Sequence, residues 1–574
     1  MRIGLVGLLF SGLIGACHGQ AIEYRTVALR GNVAPGTSAG TTFFGFEDSM
    51  VDSEGNVAFV AVLFGNDVNV NNERGLWAEH QGVLTLIARE GDQAPGMPAG
   101  VLFDRIFDPV MNSNGNTAFR AWLEGPGIDG TNRDSIWSES TGMGLGLVVQ
   151  GGTPSGISGV DIGGFASPLL GDNDLVTVKT FLSGASVNSL NDEAILVQPA
   201  TGQVAIVARE GDQADGAPAG VVYGIVAPES INASGVVSYA GTVTGAGVTA
   251  TNNRGLWLAQ TGGSIELIAR GGEPAPGAGG DSYLAVGTSS LNSLGDLVYL
   301  ASLQGPGVTF SNGSGVWKKR DGEPSQLLVR ADTQSPGAPT GQHFGTFFVP
   351  LVNGTRSVGF AGELIGATVL PLEKRAIWSE GASTALELRL RGGNTSPDLA
   401  PGVSFSTLNS PALNADGLLV LPALLTGSGI NTSNRDVLVG MEPGGDARIL
   451  VRTGTMFDVD DDPNTTDLRL VVNPIRFVEL SGGEDGRPTG LSRNGQAVFT
   501  LNFQQTFSGV FVASFAQPSC LADTNGDGFV TPADFSAWVA AFNTQAPACD
   551  QNGDGLCTPA DFSAWVANYN LCKP

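Results

Sequence analysis

Leu86-Ile-Ala-Arg-Glu-Gly-Asp92 returns as Ile206-Val-Ala-Arg-Glu-Gly-Asp212 and again as Leu267-Ile-Ala-Arg-Gly-Gly-Glu273. Shorter echoes are Leu327-Leu-Val-Arg330, Leu388-Arg-Leu-Arg391 and Ile449-Leu-Val-Arg452. Aligned on its last polar residue, the phrase sets Arg30, Arg89, Gln150, Arg209, Arg270, Arg330, Arg391 and Arg452 at steps of 59 to 61. So even a period marks an array in which each unit buries its apolar faces against its neighbours.

Each period keeps one internal order. An Asn-x-x-Gly turn comes first, as in Asn112-Ser-Asn-Gly115, Asn232-Ala-Ser-Gly235 and Asn292-Ser-Leu-Gly295. An apolar strand such as Asn56 to Leu63 follows, then a loop rich in Gly and Asn. A short strand carries an aromatic at Trp77, Trp137, Trp257, Trp317 and Trp378, with Leu196, Leu438 and Phe511 in the same slot. The repeated phrase and a Pro-Gly turn, such as Pro95-Gly96 or Pro276-Gly277, close the unit. With the stretch before the Asn turn, Phe103 to Val110 in one copy, this makes four strands.

Four short antiparallel strands every 60 residues predict propeller blades. An orphan copy of the phrase, Tyr24-Arg-Thr-Val-Ala-Leu-Arg30, precedes the first unit. The last unit has Ser492-Arg-Asn-Gly495, a strand from Gln496 to Phe503 and Val510-Phe511-Val512, but no such phrase. The N-terminal strand supplies the missing piece. The expected fold is therefore all-β, an eight-bladed β-propeller closed by an N-terminal strand, followed by a small α-helical module. Closure removes free sheet edges. A β-solenoid or tandem β-domains are the alternatives.

The repeated Trp is expected to pack between blades. The repeated Arg is expected to bond a carboxylate or carbonyls where blades meet. The Asn and Gly of the turns are expected for their tolerance of positive φ. The loops after the second strand, such as Gly125 to Arg133, vary and are the expected place for binding, but they specify no ligand.

Glycine makes up 83 of 574 residues, about twice the usual share. Only 15% of residues are charged and 42% are hydrophobic, too apolar for disorder and too Gly-rich for a helical protein. The net charge of −26 argues against nucleic acid and anionic membranes as partners. Arg2 and the apolar run Ile3 to Ala16 read as an export signal over residues 1–21, cut after Gly19 or Ala21. Ile14-Gly15-Ala16-Cys17 resembles a lipobox, which makes a lipoprotein anchored at Cys17 the alternative. No second long apolar run exists, so no transmembrane segment is expected in the mature chain.

No catalytic set emerges. His18 lies in the signal, and His80 and His343 stand in different repeats. Phosphate-loop, HExxH and Asp-box motifs are missing from the sequence. Carboxylate pairs among the 55 acids leave a polysaccharide-active hydrolase or lyase as the rival reading. Phe457 to Asp462 is an acidic insertion in the last repeat, read as solvated, with calcium binding as the alternative.

The propeller is assigned residues 22–516 and the tail 517–574. The tail holds two twelve-residue loops. Asp523, Asn525 and Asp527 fill positions 1, 3 and 5 of the first, Phe529 gives a carbonyl at 7, Thr531 stands at 9 and Asp534 closes at 12. Asp550, Asn552, Asp554, Leu556, Thr558 and Asp561 repeat the pattern. Calcium takes six to eight oxygens, which such alternation supplies, so two calcium ions are expected. Cys520, Cys549, Cys557 and Cys572 imply two disulfides in an exported module, with three pairings open.

The phrase Asn112-Ser-Asn-Gly-Asn-Thr-Ala-Phe119 resembles an uncharacterised family of bacterial extracellular tandem-repeat proteins with NxxGxxAF repeats and varied C-terminal anchors. That resemblance, over about residues 24–516, implies a surface location and no known activity. The tail resembles a type I dockerin, because Asp closes each loop and each loop leads into one helix, Asp534 to Phe542 and Asp561 to Tyr569. Its two helical segments differ at two of thirteen positions. The resemblance implies a cohesin-like or other cell-envelope protein as partner, met through Ala533, Phe535 and Trp538 or their twins Ala560, Phe562 and Trp565. The four cysteines and the Pro-Ala at positions 10 and 11 depart from the cellulosomal form. The sequence thus points to a secreted or cell-surface, non-catalytic binding or structural protein, with a glycan as a further candidate ligand.

Overall fold

The computed structural model describes residues 22–139, 144–198, 204–381, 385–460, 466–515, 521–525, 532–552 and 556–571. The chain divides into two compact units, Tyr24–Ala513 and one that holds the C-terminal module from Ser514 onward.

The first unit is a ring of eight antiparallel sheets. Blade 1 runs Thr42–Val51, Val57–Phe64, Arg74–His80 and Val83–Arg89, in that spatial order. Blade 2 repeats it with Leu102–Met111, Thr117–Glu124, Asp134–Ser138 and Gly146–Gln150. Blades 3 to 7 follow the same order. The first strands of successive blades neighbour one another and form the inner wall. The loops after second strands and the links between blades share one face, here the link face. The Asn-x-x-Gly turns lie on the other, the turn face. Both surfaces of each sheet pack on neighbouring blades, so second strands such as Val57 to Ala61 are buried on both sides.

Blade 8 is composite. Its order is Ile22–Leu29, Ser508–Phe515, Gln496–Phe503, Leu468–Arg476 and Met456–Asp458, so the N-terminal strand forms the outer edge. The Arg30 amide donates to the Ser508 carbonyl at 2.9 Å. This is the split blade expected from the orphan phrase. One register differs from expectation. The amides of Arg30 and Glu90 make equivalent bonds, so Leu29, not Arg30, occupies the slot of Arg89.

The repeated Trp side chains are fully buried, in clusters that join adjacent blades. Trp77 donates its Nε1 hydrogen to Pro35 O and Trp317 to Pro276 O, both at 3.0 Å, which ties each indole to an inter-blade link. A Cβ at Gly75, Gly255 or Gly315 would collide with the indole two residues on, which explains the Gly-x-Trp spacing.

The repeated Arg bonds carbonyls, and at Arg330 also a carboxylate, as expected, with Arg330 reaching Ala278 O at 3.0 Å and Asp281 at 2.8 Å in the link that enters its blade. Arg89, Arg270, Arg330 and Arg452 each donate Nε–H within their own blade, to the carbonyl of Asn72, Asn252, Asn312 or Asn434 at 2.7–3.1 Å. They fasten the loop after the second strand. The reading of the turn asparagines, by contrast, needs correction, because they are not left-handed. The glycines of those turns are, with φ of 82° at Gly115 and 83° at Gly295.

The asparagines instead link the blades. The Asn292 Oδ1 accepts the amides of Leu294 and Asp296, while its Nδ2 donates to Asn353 O of the next blade at 2.8 Å. Asn112, Asn232, Asn353 and Asn414 likewise donate to the following blade, at Gly171, Asn292, Asn414 and Arg493.

In the second unit, helices α1 (Pro532–Thr544) and α2 (Pro559–Leu571) pack through Trp538 and Trp565 around Ala522. No described helix is long and apolar enough to cross a membrane.

Candidate functional site: the stoppered hub, the link face and the C-terminal loops

The Asn step into blade 8 is 79 residues, against 59 to 61 at the other joints. Part of the excess is a loop that leaves the inner strand after Phe477 and returns at Gly490, whose amide donates to Val478 O at 2.9 Å. Between these points the chain bonds to five other blades. Val51 N donates to Thr489 O, Leu170 N to Gly486 O, Ile231 N to Asp485 O and Leu413 N to Ser481 O, at 2.9–3.2 Å. Ser293 of blade 5 donates its amide to Glu484 Oε2 at 3.0 Å. A segment this short reaches so many blades only on the ring axis. It stoppers the channel at the turn face.

The stopper's side chains are built for that place. A Cβ on Gly482 would strike the Val352 carbonyl and one on Gly486 would strike Ile231, so both positions need glycine. Asp485 is wholly buried and accepts from Ser481 Oγ at 2.8 Å and Ser290 Oγ at 3.3 Å. Arg487 donates to the carbonyls of Glu229, Ser289 and Leu480. A cavity of about 20 Å³ remains beside Asp52, Asn112, Asp172, Glu484 and Arg493, room for about one water. Burial pushes the Asp172 carboxyl up from its usual range, against hydrogen bonds from Ser113, and nearby Glu484 and Asp485 add to the rise. Burial likewise pushes Glu479 up to about 7, with Arg375 opposing it.

The two propeller histidines each pair with a carboxylate at a blade joint. His80 Nε2 lies 3.1 Å from Glu139 of the next blade, and His343 Nδ1 lies 3.1 Å from Asp332. Sequence reasoning missed the stopper. Its one visible signal was the overlong last repeat.

In the tail, the structure places the closing carboxylates over their loops. Asp561 Oδ1 accepts from Gln551 N at 2.9 Å and Asn552 N at 3.3 Å, and its Oδ2 accepts from Thr558 N at 2.7 Å. The Thr558 amide leads the bonds that hold the Asp561 carboxyl below its usual range. Asp534 Oδ1 accepts from Asn525 N at 3.2 Å in the first loop. Both closing residues are buried. Asp523, Asp550 and Leu556 lie among the described residues, whereas Asp527, Phe529, Thr531 and Asp554 lie outside them. The described residues contain no cluster of three or more metal-ligating side chains. Cys549 and Cys557 are joined, with Cα atoms 5.6 Å apart, while Cys520 and Cys572 lie outside the described residues.

Of the six residues named for partner binding, Ala533, Phe535, Ala560 and Phe562 are exposed. Trp538 and Trp565 are buried and donate Nε1–H to Cys549 O and Thr524 Oγ1. The halves mirror each other. Phe535 packs on Trp565 at 5.3 Å and Phe562 on Trp538 at 5.6 Å.

Fold and hub define an eight-bladed, strand-closed β-propeller whose channel is blocked by its own chain. Residues 15–162, 143–269 and 220–519 match a family of unknown function, DUF7453, and the chain belongs to that family. No curated protein matches it. Among solved structures it is similar to the Dos1 propeller, at 8% identity and a TM-score of 0.36 over 86% of this chain and 94% of that one. It is also similar to the propeller domain of the Trilobed protease from Pyrococcus furiosus, at 8% identity and 0.36 over 71% and 98%. Puromycin hydrolase shares 12% identity at 0.36 over 83% of this chain and 61% of its own. The strand order of the sheets, not these likenesses, defines the propeller.

Proposed function

We propose that the protein is a secreted, non-catalytic binding protein, displayed at a cell surface through a calcium-dependent, dockerin-like tail. The stoppered hub is the observation that carries the propeller half of this reading. A channel crossed by five-blade bonding has no room for a substrate at its turn-face end, which leaves the link face for ligands. Asp485 and Glu484 hold the stopper through Ser290, Ser481 and Ser293.

The tail half rests on the paired loops. Asp523, Asn525, Asp534, Asp550, Asn552 and Asp561, with the residues expected beside them, offer the hard oxygen donors that calcium takes. The closing aspartates lie over their own loops, bonded to loop amides, within reach of the place a position-12 ligand takes. Calcium, when bound, supplies charge neutralisation among crowded carboxylates. The exposed Phe535 and Phe562, on mirrored halves, suit a protein partner such as a cohesin-like module or another cell-envelope protein.

Calorimetric titration of the full chain with calcium tests the tail. About two ions per chain are expected, and the Asp534→Ala, Asp561→Ala double variant should bind none. Absence of heat at millimolar calcium in the unaltered chain would overturn the reading.

A further inference from the structure

Seven of the eight tryptophans are buried. Five fill the repeated blade slot, and Trp538 and Trp565 form the tail core. Trp122 is the exception. It belongs to no repeat and stays partly exposed, near the link-face end of the second strand of blade 2.

Its surroundings are unusual for a chain of net charge −26. The Arg133 guanidinium stacks on the Trp122 ring at 4.0 Å from its centroid. Arg105, on the inner strand, is the Cα partner of Trp122 across the ladder. Both arginines are exposed. Among the described residues neither has a carboxylate within ion-pair distance, although Arg105 feels the field of the buried Glu90. Arg120, deeper in the same strand, is by contrast doubly bonded to Asp134 at 2.8 Å. The Phe107 ring meets Trp122 edge-on at 5.1 Å and braces it from below.

Blade 1 carries a separate exposed aromatic pair at its own link-face end. Phe44 and Phe64 are 43% and 65% exposed, with stacked rings 6.1 Å apart. The Arg30 guanidinium lies 3.9 Å over Phe44.

A guanidinium stacked on a ring keeps its N–H edge toward solvent, pre-set for the two-pronged capture of an acid group. The exposed part of the Trp122 ring beside it suits the apolar face of a sugar ring. The surrounding negative charge disfavours a long polyanion but not one acid group held locally. The outer free edges of these sheets, where an extended peptide could join, are their fourth strands, Val83–Arg89 and Gly146–Gln150, whereas Arg105 and Trp122 stand on the first and second strands of blade 2.

We infer that the link-face end of blade 2 binds an acid-bearing saccharide, with Arg105 and Arg133 taking its carboxylate and Trp122 lying against its ring. This rests on the binding-protein reading above and names the ligand class and its place.

Calorimetry of the full chain with a tetramer of galacturonic acid, and with a neutral galactose tetramer of the same length, tests it. The uronate should bind, and the neutral tetramer should bind roughly tenfold more weakly or not at all. Arg133→Gln and Arg105→Gln, both surface changes, should each weaken the uronate roughly tenfold while leaving the melting temperature unchanged. Equal affinity for both tetramers would overturn the acid selectivity yet spare the glycan-binding reading. No binding of either tetramer would overturn both. Equal binding of a glutamate tetramer would show an unselective anion site and overturn the saccharide assignment. Unchanged uronate affinity in the two Gln variants would place the site elsewhere.

Discussion

A single side chain, the turn asparagine, does two jobs with its two ends. In Asn292 the oxygen closes its own turn while the amide nitrogen reaches the next blade. The residue is fully buried, so neither end has water as a substitute. Asn292→Ala should therefore cost about 2–4 kcal/mol, because it strands two amides and one carbonyl at a joint. Chemical denaturation with unchanged m-value would check this, and a loss under about 0.5 kcal/mol would refute the linking role. Blade 1 provides a natural contrast. Asp52 there accepts the amides of Glu54 and Asn56 but has no hydrogen to donate, and Ser53 Oγ bonds Ser113 O of the next blade instead. The sequence displays the Asn-x-x-Gly phrase plainly, yet turn chemistry alone accounts for it. The acceptor sits one whole repeat away, and only the ring brings the two together. The same holds for Glu79, Glu139 and Glu380, which accept the amides of Val57, Thr117 and Val358 and pair with Arg25, His80 and Lys318 of the preceding blade.

Among elements, the stopper should have a stability that depends on pH. Burial raises the Glu479 carboxyl to about 7, well above its value of about 4.3 in an unfolded chain. The folded state thus holds the proton more tightly. Stability from this group is full below about pH 4 and is lost as pH rises toward 7. Asp172 and Glu229, raised in the same direction by burial, act with the same sign. Glu479 keeps partial access to solvent, so the effect is discounted to about 1–2 kcal/mol. Hydrogen exchange in residues 478–490 should be slower at pH 5 than at pH 8, after correction for intrinsic rates. Glu479→Gln should remove most of that difference and slow exchange at pH 8. An unaltered pH response in this variant would exonerate Glu479. Strand periodicity, blade order and the composite blade were legible because each unit repeats its own local pattern. The stopper was not, because its partners are five other blades and nothing local marks its path. Trp122 was legible only as a departure from the repeat, a tryptophan where the period asks for none.

At the scale of the whole molecule, everything depends on one strand supplied from the other end of the chain. Ile22–Leu29 covers the edge of Ser508–Phe515, and it also reaches both neighbouring blades. Toward blade 7, Tyr24 donates its hydroxyl hydrogen to Leu450 O at 2.7 Å. Toward blade 1, Arg25 grips Glu79 at 2.6 and 2.9 Å, while Ala28 is buried in the joint core. An unclosed ring would expose Ser508–Phe515 as an apolar edge, a ready site for pairing between chains. It would also leave the buried Glu79 without its cation. Deleting residues 22–29 should then abolish the monomer, giving aggregates on size-exclusion chromatography with loss of the near-ultraviolet tryptophan signal. Arg25→Ala is the gentler test, because the strand remains and only the link to blade 1 goes. Glu79 would keep its bond from the Val57 amide, so the cost should be about 1–3 kcal/mol with the monomer preserved. A deletion variant that stays monomeric and melts as the parent does would mean that seven blades and the stopper hold the ring without the strand. In that event the bonds of residues 480–489, not the N-terminal strand, would be the closure.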